Sequence, residues 1–473
     1  MHVHFIGIKG SGCSSIAKVA KKKGYLVTGC DLKEYKDIDL EEKYNIKVYR
    51  EHSVEHINDA DIVAASPAVI EKIDHISEVR YAKDCGKLIS WQEFLGKNIL
   101  PEYYSIGVAG THGKTSTTAL LGLTLESAKF DPTVIIGGSV NAWNSNARIG
   151  KSNYMVFEAD EYSNNFLNYT PNVLLINNIE YEHPEFFNTA EEYKSLFNKF
   201  AAQLPHKSCL VANIDDDGVS ELLSASEGVI SRNQINVITY SQKASPKHFE
   251  YPLLSANIEK LDGSGILFNT TGFIEDNFHL HMFGKHNVSN ALGVIAASNF
   301  LRIDVDYVKE TFRNHVGVAR RLQSVYCDDK VQIYNDYGHH PTEIKATLEA
   351  VKVHNSGKRI IAIVEPHMIS RINKFHDQYV EALKITDRVV FTKIFLGREQ
   401  DKELPDLLPI AKKIGIDKAS VCNDFNSTSS FILNQNLDNS IVVIFGAGNS
   451  LDLTDQIVRG VKQENLSKRK FNP

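Results

Sequence analysis

The chain has 473 residues, of which 42% are hydrophobic and 23% charged, a globular composition long enough for about three cores of ordinary size. Its formal net charge of −6 excludes a global nucleic-acid footprint, and no apolar run approaches the roughly 18 residues of a membrane span. Six cysteines stand singly, at Cys13, Cys30, Cys85, Cys209, Cys327 and Cys422; the lack of any CxxC excludes a zinc ribbon or dithiol motif and fits reduced thiols.

The N-terminus enters a strand at once, Val3 to Ile8, without the basic start and apolar stretch of a signal peptide. A cytoplasmic location is therefore expected. "HVHFIGI" leads through a glycine-rich turn into a helix from about Cys13 to Lys23, whose end "AKKKGY" reads as a solvated face. "YLVTGCD" and "DIVAASPAV" follow as strands, and this alternation argues for βαβ units and a parallel sheet. The pattern resets around "FLGKNILPEYYS", which places the first domain at 1–101. The second, 102–317, opens with strand "SIGVAG", a phosphate loop and a helix, and continues through "YMVFEAD", "NVLLINNIE" and "SCLVANIDDD". A polar, β-like stretch from Tyr251 to His281 precedes a helix at Asn287 to Leu301. The third, 318–473, takes "VQIYNDY", "RIIAIVEP", "DRVVFTKI" and "NSIVVIFGAG" as parallel strands. The expected class is α/β in three domains: Rossmann-like, P-loop-type ATPase and again Rossmann-like. The final "KQENLSKRKFNP" reads as a frayed tail.

Two glycine-rich loops carry most of the chemistry. In "GTHGKTS", residues Gly110, Thr111, His112, Gly113, Lys114, Thr115 and Ser116 join a strand to a helix. Backbone N–H groups at such a helix start bind phosphate oxygens, and the glycines permit close approach. Lys114 is expected to reach the β- and γ-phosphates and Thr115 to ligate magnesium. The glycine of the usual longer spacing is replaced by Val108, so this is a shortened loop. In "FIGIKGSG", Gly7, Gly10 and Gly12 also follow a strand and open a helix, and Asp31 ends the next strand. That arrangement fits a dinucleotide-type ribose carboxylate, although the glycine order departs from G-x-G-x-x-G, and a structural turn remains the alternative reading. "FEADEY" and "INNIEYEH" put Glu158, Asp160, Glu161, Glu180, Glu182 and His183 at strand ends. Beside a phosphate loop they suit a hard cation; otherwise they are solvated loop charges.

The set "GTHGKTST", "FEADEY", "NNIEYEH", "FGKHNVSNAL", "GVARRLQ" and "YNDYGHHPTEI", in this order over nearly the whole chain, resembles the Mur ligases of bacterial cell-wall synthesis. The resemblance implies an ATP-dependent ligase that joins an amine to a carboxylate through an acyl phosphate, with Mg2+. It implies a UDP-sugar site at Gly7, Gly10, Ser11, Gly12, Asp31 and Ser66, the last in "ASPAV". Two loops would then hold two nucleotides, UDP and ATP. It assigns Lys114 to the triphosphate, and Thr115, Glu158 and His183 to metal. His286, Asn287 and Asn290 match nucleotide-contacting positions. Arg320 or Arg321 matches an arginine at the domain joint, and Asp336 an aspartate near the ATP ribose. His339, of "GHHP", is implied as base or positioner of the amine, unless it or His340 only packs at the joint. His367 and Arg371, in "EPHMISR", resemble the Pro-His-x-x-x-Arg segment of members that add L-alanine to UDP-N-acetylmuramate. Arg371 is accordingly expected to offer its donor fork to the amino acid's carboxylate. Glu182 and Met368 depart from the aspartate and arginine frequent at those positions. Other members add a whole tripeptide to the same sugar nucleotide, and "FEADEYSNNF" is similar to theirs. Reading "FIGIKGSG" as an NAD loop, or the chain as a non-catalytic nucleotide binder, gives the rival classes. The implied partners are small molecules, with no nucleic acid and no membrane, in a monomer or homodimer.

Overall fold

The computed structural model describes residues 1–32, 40–71, 73–243, 249–355, 357–399 and 403–471, with backbone alone from 464 onward. Three sheets follow one another along the chain. The first is all parallel, in the order Lys47–Tyr49, Leu26–Cys30, His2–Ile6, Ile62–Ala65, Leu88–Ser90. Val3, His4, Phe5 and Ile6 are completely buried, as expected of a strand covered on both faces. The strand order reverses between His2–Ile6 and Ile62–Ala65. The two loops that leave these strands therefore meet at a topological switch point, where open α/β sheets bind ligands. These are the loops that contain Gly7 and Ser66.

The second sheet has ten strands and is centred on Tyr104–Ala109, which pairs in parallel with Val173–Ile176 and Tyr154–Glu158. The polar stretch after Tyr251 becomes Leu253–Asp262, Gly265–Gly272 and Asp276–Leu280, an antiparallel extension of this sheet. Helices Lys114–Ser127 and His286–Phe300 share one apolar core on one face, with Leu120, Leu121, Val288 and Leu292 against Ile106, Val108 and Leu175. On the other face Phe166, Phe197 and Phe200 belong to a core that continues through Phe94 and Leu95 to Phe5 of the first domain. The first two domains are thus joined by packed apolar surface rather than by a bare linker.

The third sheet orders Gln323–Cys327, Val331–Asp336, Ser440–Phe445, Arg359–Val364, Arg388–Phe391 and Ala419–Val421, parallel except for the first strand. The tail expected to fray is instead helical: Ser450–Phe471 is one helix. Leu453, Ile457 and Val461, four residues apart, are buried and anchor its start, and Lys, Gln, Glu and Arg carry it onward as strong helix formers. Asn472 and Pro473 lie outside the described residues. Among those residues no helix is long and apolar enough to cross a membrane.

Candidate active site

Strand Tyr104–Ala109 runs into Gly110 at φ +134°, and Gly113 at φ +81° caps helix Lys114–Ser127. Both angles favour glycine. A side chain at Gly113 is also excluded by space, because its Cβ would lie 2.5 Å from Asn290 Oδ1 and 2.9 Å from Asn177 Nδ2. Asn178 receives the His112 N–H on its Oδ1 at 2.8 Å and donates to the His112 carbonyl at 3.2 Å. The loop is therefore held from behind by amides, with Lys114 and Thr115 on the wall of a cavity of about 830 Å³.

Lys114 Nζ donates to the carbonyls of Gly110 and Thr111 and, at 2.8 Å, to Glu161 Oε2. Burial pushes its pKa down, but Glu161, Asp160 and Glu158 outweigh burial and raise it, so the ammonium stays charged. Glu158 ends strand Tyr154–Glu158 and accepts the Gly137 N–H at 3.0 Å. Burial raises its pKa against the pull of Gly137, Thr115, Lys114 and Arg321. His183, at φ +58°, places Nε2 3.8 Å from both Glu161 and Glu182, and Nδ1 3.0 Å from Glu185. Burial lowers the His183 pKa, yet the Glu182 charge and the Glu185 hydrogen bond lift it above its ordinary value. Glu158, Glu161, Glu182, His183 and Glu185 all line the cavity.

The third domain closes the cavity with His339, Glu343, His367, Met368 and Arg371. In "GHHP" the two histidines part company. His340 is 2% exposed and caps helix Pro341–His354 in a box with Glu343, and burial brings its pKa down to about 4. His339 faces the cavity, with Nε2 3.8 Å from Glu182 and its ring 5.1 Å from that of His367. The expected free fork on Arg371 is not what the structure holds. Arg371 is 2% exposed, and its Nε and Nη2 donate to the two oxygens of Glu182 at 2.7 and 2.8 Å. Its Nη1 donates to His367 Nδ1 at 2.6 Å. A buried carboxylate one residue before His183 outcompetes any other acceptor for a bidentate pair. Glu182, pushed up by burial, is held well below the usual carboxylate range by Arg371 and His183. His367 is driven down to about 2 by burial and by the neighbouring His339 and Arg371 charges, so it is neutral.

Arg320 and Arg321 also separate. Arg321 Nη2 donates to Thr115 Oγ1 at 3.2 Å across the domain joint. Arg320 turns back onto the Gly446 carbonyl and, at 3.2 Å, Ser450 Oγ. Asp336 is 5% exposed, and its oxygens accept the N–H groups of Leu322 and Gly338, each at 2.7 Å. It organises the joint loop rather than facing the cavity. His286, Asn287 and Asn290 are not on the cavity wall; Asn287 and Asn290 are buried, and Asn290 backs the phosphate loop.

The first loop lies apart from this cavity. Gly7 has φ +76°, and a Cβ there would meet Val69 at 3.3 Å and Ser66 Oγ at 3.5 Å, so the two expected UDP-sugar loops do adjoin. Gly12 permits helix Ser11–Lys22 to approach the Trp91 ring, which an added Cβ would meet at 2.4 Å. Asp31 accepts the Lys9 N–H at 2.9 Å, within the turn itself. Ser11 Oγ donates to the Gly137 carbonyl at 3.0 Å. The residue that receives Ser11 is therefore the one whose N–H holds Glu158, and the two loops are linked through Gly137.

Sequence reasoning missed four structural partners. Glu161 grips Lys114, and Glu182 grips Arg371. His112 Nε2 lies 2.9 Å from Glu180 Oε2, and its Nδ1 lies 3.3 Å from Glu343 Oε1. All four are carboxylates in or beside quoted motifs. Only tertiary pairing distinguishes them from the metal candidates.

Family models match in three consecutive blocks: "Mur ligase family, catalytic domain" at 2–100, "Mur ligase middle domain" at 108–298 and "Mur ligase, glutamate ligase domain" at 320–448. The chain belongs to the Mur ligase family. It is 34% identical to a UDP-N-acetylmuramate–L-alanine ligase of Sulfurihydrogenibium sp., over 98% of both chains. It is also 34% identical to the like-named protein of Persephonella marina, over 98% of this chain and 97% of that one. Among solved structures it resembles the UDP-N-acetylmuramate-alanine ligase of Thermotoga maritima, with a TM-score of 0.78, 24% identity and coverage of 98% of this chain and 100% of that one. It also resembles a murein peptide ligase of Psychrobacter arcticus, with a TM-score of 0.70, 22% identity and coverage of 97% and 98%. At those identities the structural likenesses speak for the fold.

Proposed function

We propose that this chain is the ATP-dependent ligase that joins L-alanine to the lactyl carboxylate of UDP-N-acetylmuramate, a cytoplasmic step of peptidoglycan precursor synthesis. The observation that carries the reading is one cavity. Lys114 and Thr115 of the phosphate loop share it with Glu158 and His183 of the middle domain and with His339 and His367 of the third. The shared names of the whole-chain relatives favour alanine as the amine. We place the domain limits at 101/102 and 317/318, between the three sheets.

An amide forms from a carboxylate only after one oxygen becomes a leaving group. The lactyl carboxylate attacks the γ-phosphate of ATP, giving an acyl phosphate and ADP. Lys114 positions the phosphates and cancels their repulsion. The amine of alanine then attacks the acyl carbon, loses a proton, and phosphate leaves. Thr115 and Glu158 would offer a magnesium ion hard oxygen donors, a hydroxyl and a carboxylate that share a hydrogen bond, and His183, on the same cavity wall, is kept as a ligand by resemblance. Such an ion supplies charge neutralisation between the phosphates and the carboxylate.

His339, on the cavity wall, is the residue we assign to the amine. Arg371 acts by fixing Glu182 and neutral His367 in place rather than by gripping the amino acid itself. The UDP moiety is assigned to Gly7, Gly10, Ser11, Gly12, Asp31 and Ser66 at the switch point. ATP is assigned to the loop Gly110 to Ser116 with Arg321, while Asn287, Asn290, Arg320 and Asp336 support that loop and the joint; His286 is kept with the nucleotide by resemblance. The test is mass analysis of the product formed from ATP, UDP-N-acetylmuramate and L-alanine. The expected product is one alanine heavier than the sugar nucleotide less one water, and its absence, with no phosphate released, overturns the reading.

A further inference from the structure

A second group of ionisable side chains lies inside the first domain, away from the cavity described above. His4 comes from strand His2–Ile6, Cys30 from the end of Leu26–Cys30 and Glu78 from helix Ser77–Asp84. His52 and His56 come from the segment after Lys47–Tyr49. His4, Cys30 and Glu78 are each 0% exposed, and their ligand atoms all lie within 4.8 Å of one another.

Glu78 is the centre of the group. Its Oε2 lies 3.2 Å from Cys30 Sγ and 2.9 Å from His52 Nδ1, and its Oε1 lies 3.4 Å from His4 Nε2. Cys30 Sγ is 3.3 Å from His52 Nδ1. A hydrogen-bonded network explains only part of this arrangement. His4 Nε2 at 3.4 Å and His56 Nδ1 at 3.8 Å both face Glu78 Oε1 in ion-pair range, yet none of these three buried atoms makes a hydrogen bond. Native cores rarely leave such atoms orphaned. The His4 ring is held with Nε2 inward because its Nδ1 engages Thr28 Oγ1 at 2.8 Å, an outer contact of the kind that orients metal-binding imidazoles. Around a tetrahedral ion with bonds of about 2.0–2.3 Å, ligand atoms stand roughly 3.3–3.8 Å apart. Among His52 Nδ1, Cys30 Sγ and Glu78 Oε2 the separations are 2.9, 3.2 and 3.3 Å, so a small outward relaxation brings these three to that spacing. His4 Nε2 stands 3.4 Å from the other oxygen of Glu78, and a His4 ring nitrogen lies within 4.8 Å of the Cys30 and Glu78 ligand atoms.

We propose that His4 Nε2, Cys30 Sγ, Glu78 and His52 Nδ1 form a binding site for one zinc ion. Two imidazoles, a thiolate and a carboxylate are the mixed, borderline-soft donors that zinc takes. The Cys30 thiol releases its proton to solvent on binding. The ion's two positive charges are then balanced by thiolate and carboxylate, which leaves a neutral centre in a buried place. His56, stacked on Tyr49 with centroids 3.7 Å apart, is not needed for four-fold coordination. The ion ties two strands and a helix of the UDP-sugar domain to the loop at His52.

The test uses the full chain, reduced, stripped with a chelator and reloaded with zinc alone or cobalt(II) alone. Zinc is expected at one per chain after desalting, with a rise in thermal midpoint. Cobalt is expected to give a thiolate-to-metal charge-transfer band. Cobalt held at Glu158 and His183 has no sulfur ligand, so the band separates the two places. Cys30→Ser is expected to abolish the band, and Glu78→Gln to weaken zinc by about tenfold or more. A wild-type chain with reduced thiols and no thiolate band overturns the proposal, as does a band that survives in Cys30→Ser. Because the wild-type measurement decides by itself, a variant that fails to fold does not shelter the proposal.

Discussion

Arg371 is a buried cation and Lys114 a half-buried one, and their partners decide what each can do. Lys114 is held by one carboxylate oxygen of Glu161 and by two carbonyls, contacts that a triphosphate can replace at little cost to a mobile ammonium. Lys114→Ala is expected to lower kcat by two orders of magnitude or more, since one such donor contributes about 3 kcal/mol, while circular dichroism shows the fold intact. Near-normal turnover in that variant contradicts the ATP assignment. Arg371 is committed at all three nitrogens. Removing one partner of a buried pair costs about 3–5 kcal/mol, because the other charge is left uncompensated. Glu182→Gln and Arg371→Gln should therefore each lower the thermal midpoint, and the double variant should be little worse than either. Calorimetry that finds strictly additive losses would show that the two side chains act independently.

At the scale of elements, an imidazole joins the phosphate loop to the "GHHP" helix, beside a hydrogen bond from Thr342 Oγ1 to Glu180 Oε1 at 2.7 Å. His112 bridges Glu180 of the middle domain and Glu343 in the first turn of helix Pro341–His354. Burial pulls its pKa down, but the two carboxylates carry it from 6.5 up to about 10. A group raised in the folded state contributes stability that is complete below its unfolded pKa and lost as pH rises through the folded one. The joint is therefore expected to weaken between about pH 6.5 and pH 10. Small-angle scattering should show the wild type expanding over that window and His112→Gln already expanded and insensitive to it. Equal pH responses in the two proteins would show that the bridge does not hold the joint. The other element under close control is the first helix. Gly12→Val puts a branched side chain where even a Cβ meets Trp91 at 2.4 Å, so the helix start must shift. Titration calorimetry should show weakened UDP binding with ATP binding near that of the wild type. Loss of ATP binding alone would mean the two loops are assigned the wrong way round.

Over the whole molecule, what could be read from the sequence was whatever is local or periodic. The short apolar runs fixed the parallel strands, the strand–glycine–helix joints located both loops, and the ordered motifs pointed to a Mur ligase, the family to which the chain belongs. Pairings between distant segments were not legible. "IEYEH" holds Glu180, Glu182 and His183, and no spacing rule says that Glu182 takes Nε and Nη2 of a guanidinium 189 residues away while Glu180 pairs with His112. Nor does "GHHP" say which histidine caps a helix and which faces the cavity. His4, Cys30, His52 and Glu78 have no motif spacing at all, and only the strand order of the first sheet brings them together. The tail was misread because its polar residues look solvated, whereas an anchored first turn lets strong helix formers continue the helix. A single amino acid presents its carboxylate beside its amine, whereas a tripeptide carries its terminal carboxylate several residues away and needs a longer groove. The most direct measurement is kcat/KM, with ATP and UDP-N-acetylmuramate fixed, for L-alanine beside a tripeptide that begins L-Ala-γ-D-Glu. The higher value is expected for alanine; a higher value for the tripeptide would make the tripeptide the amine substrate.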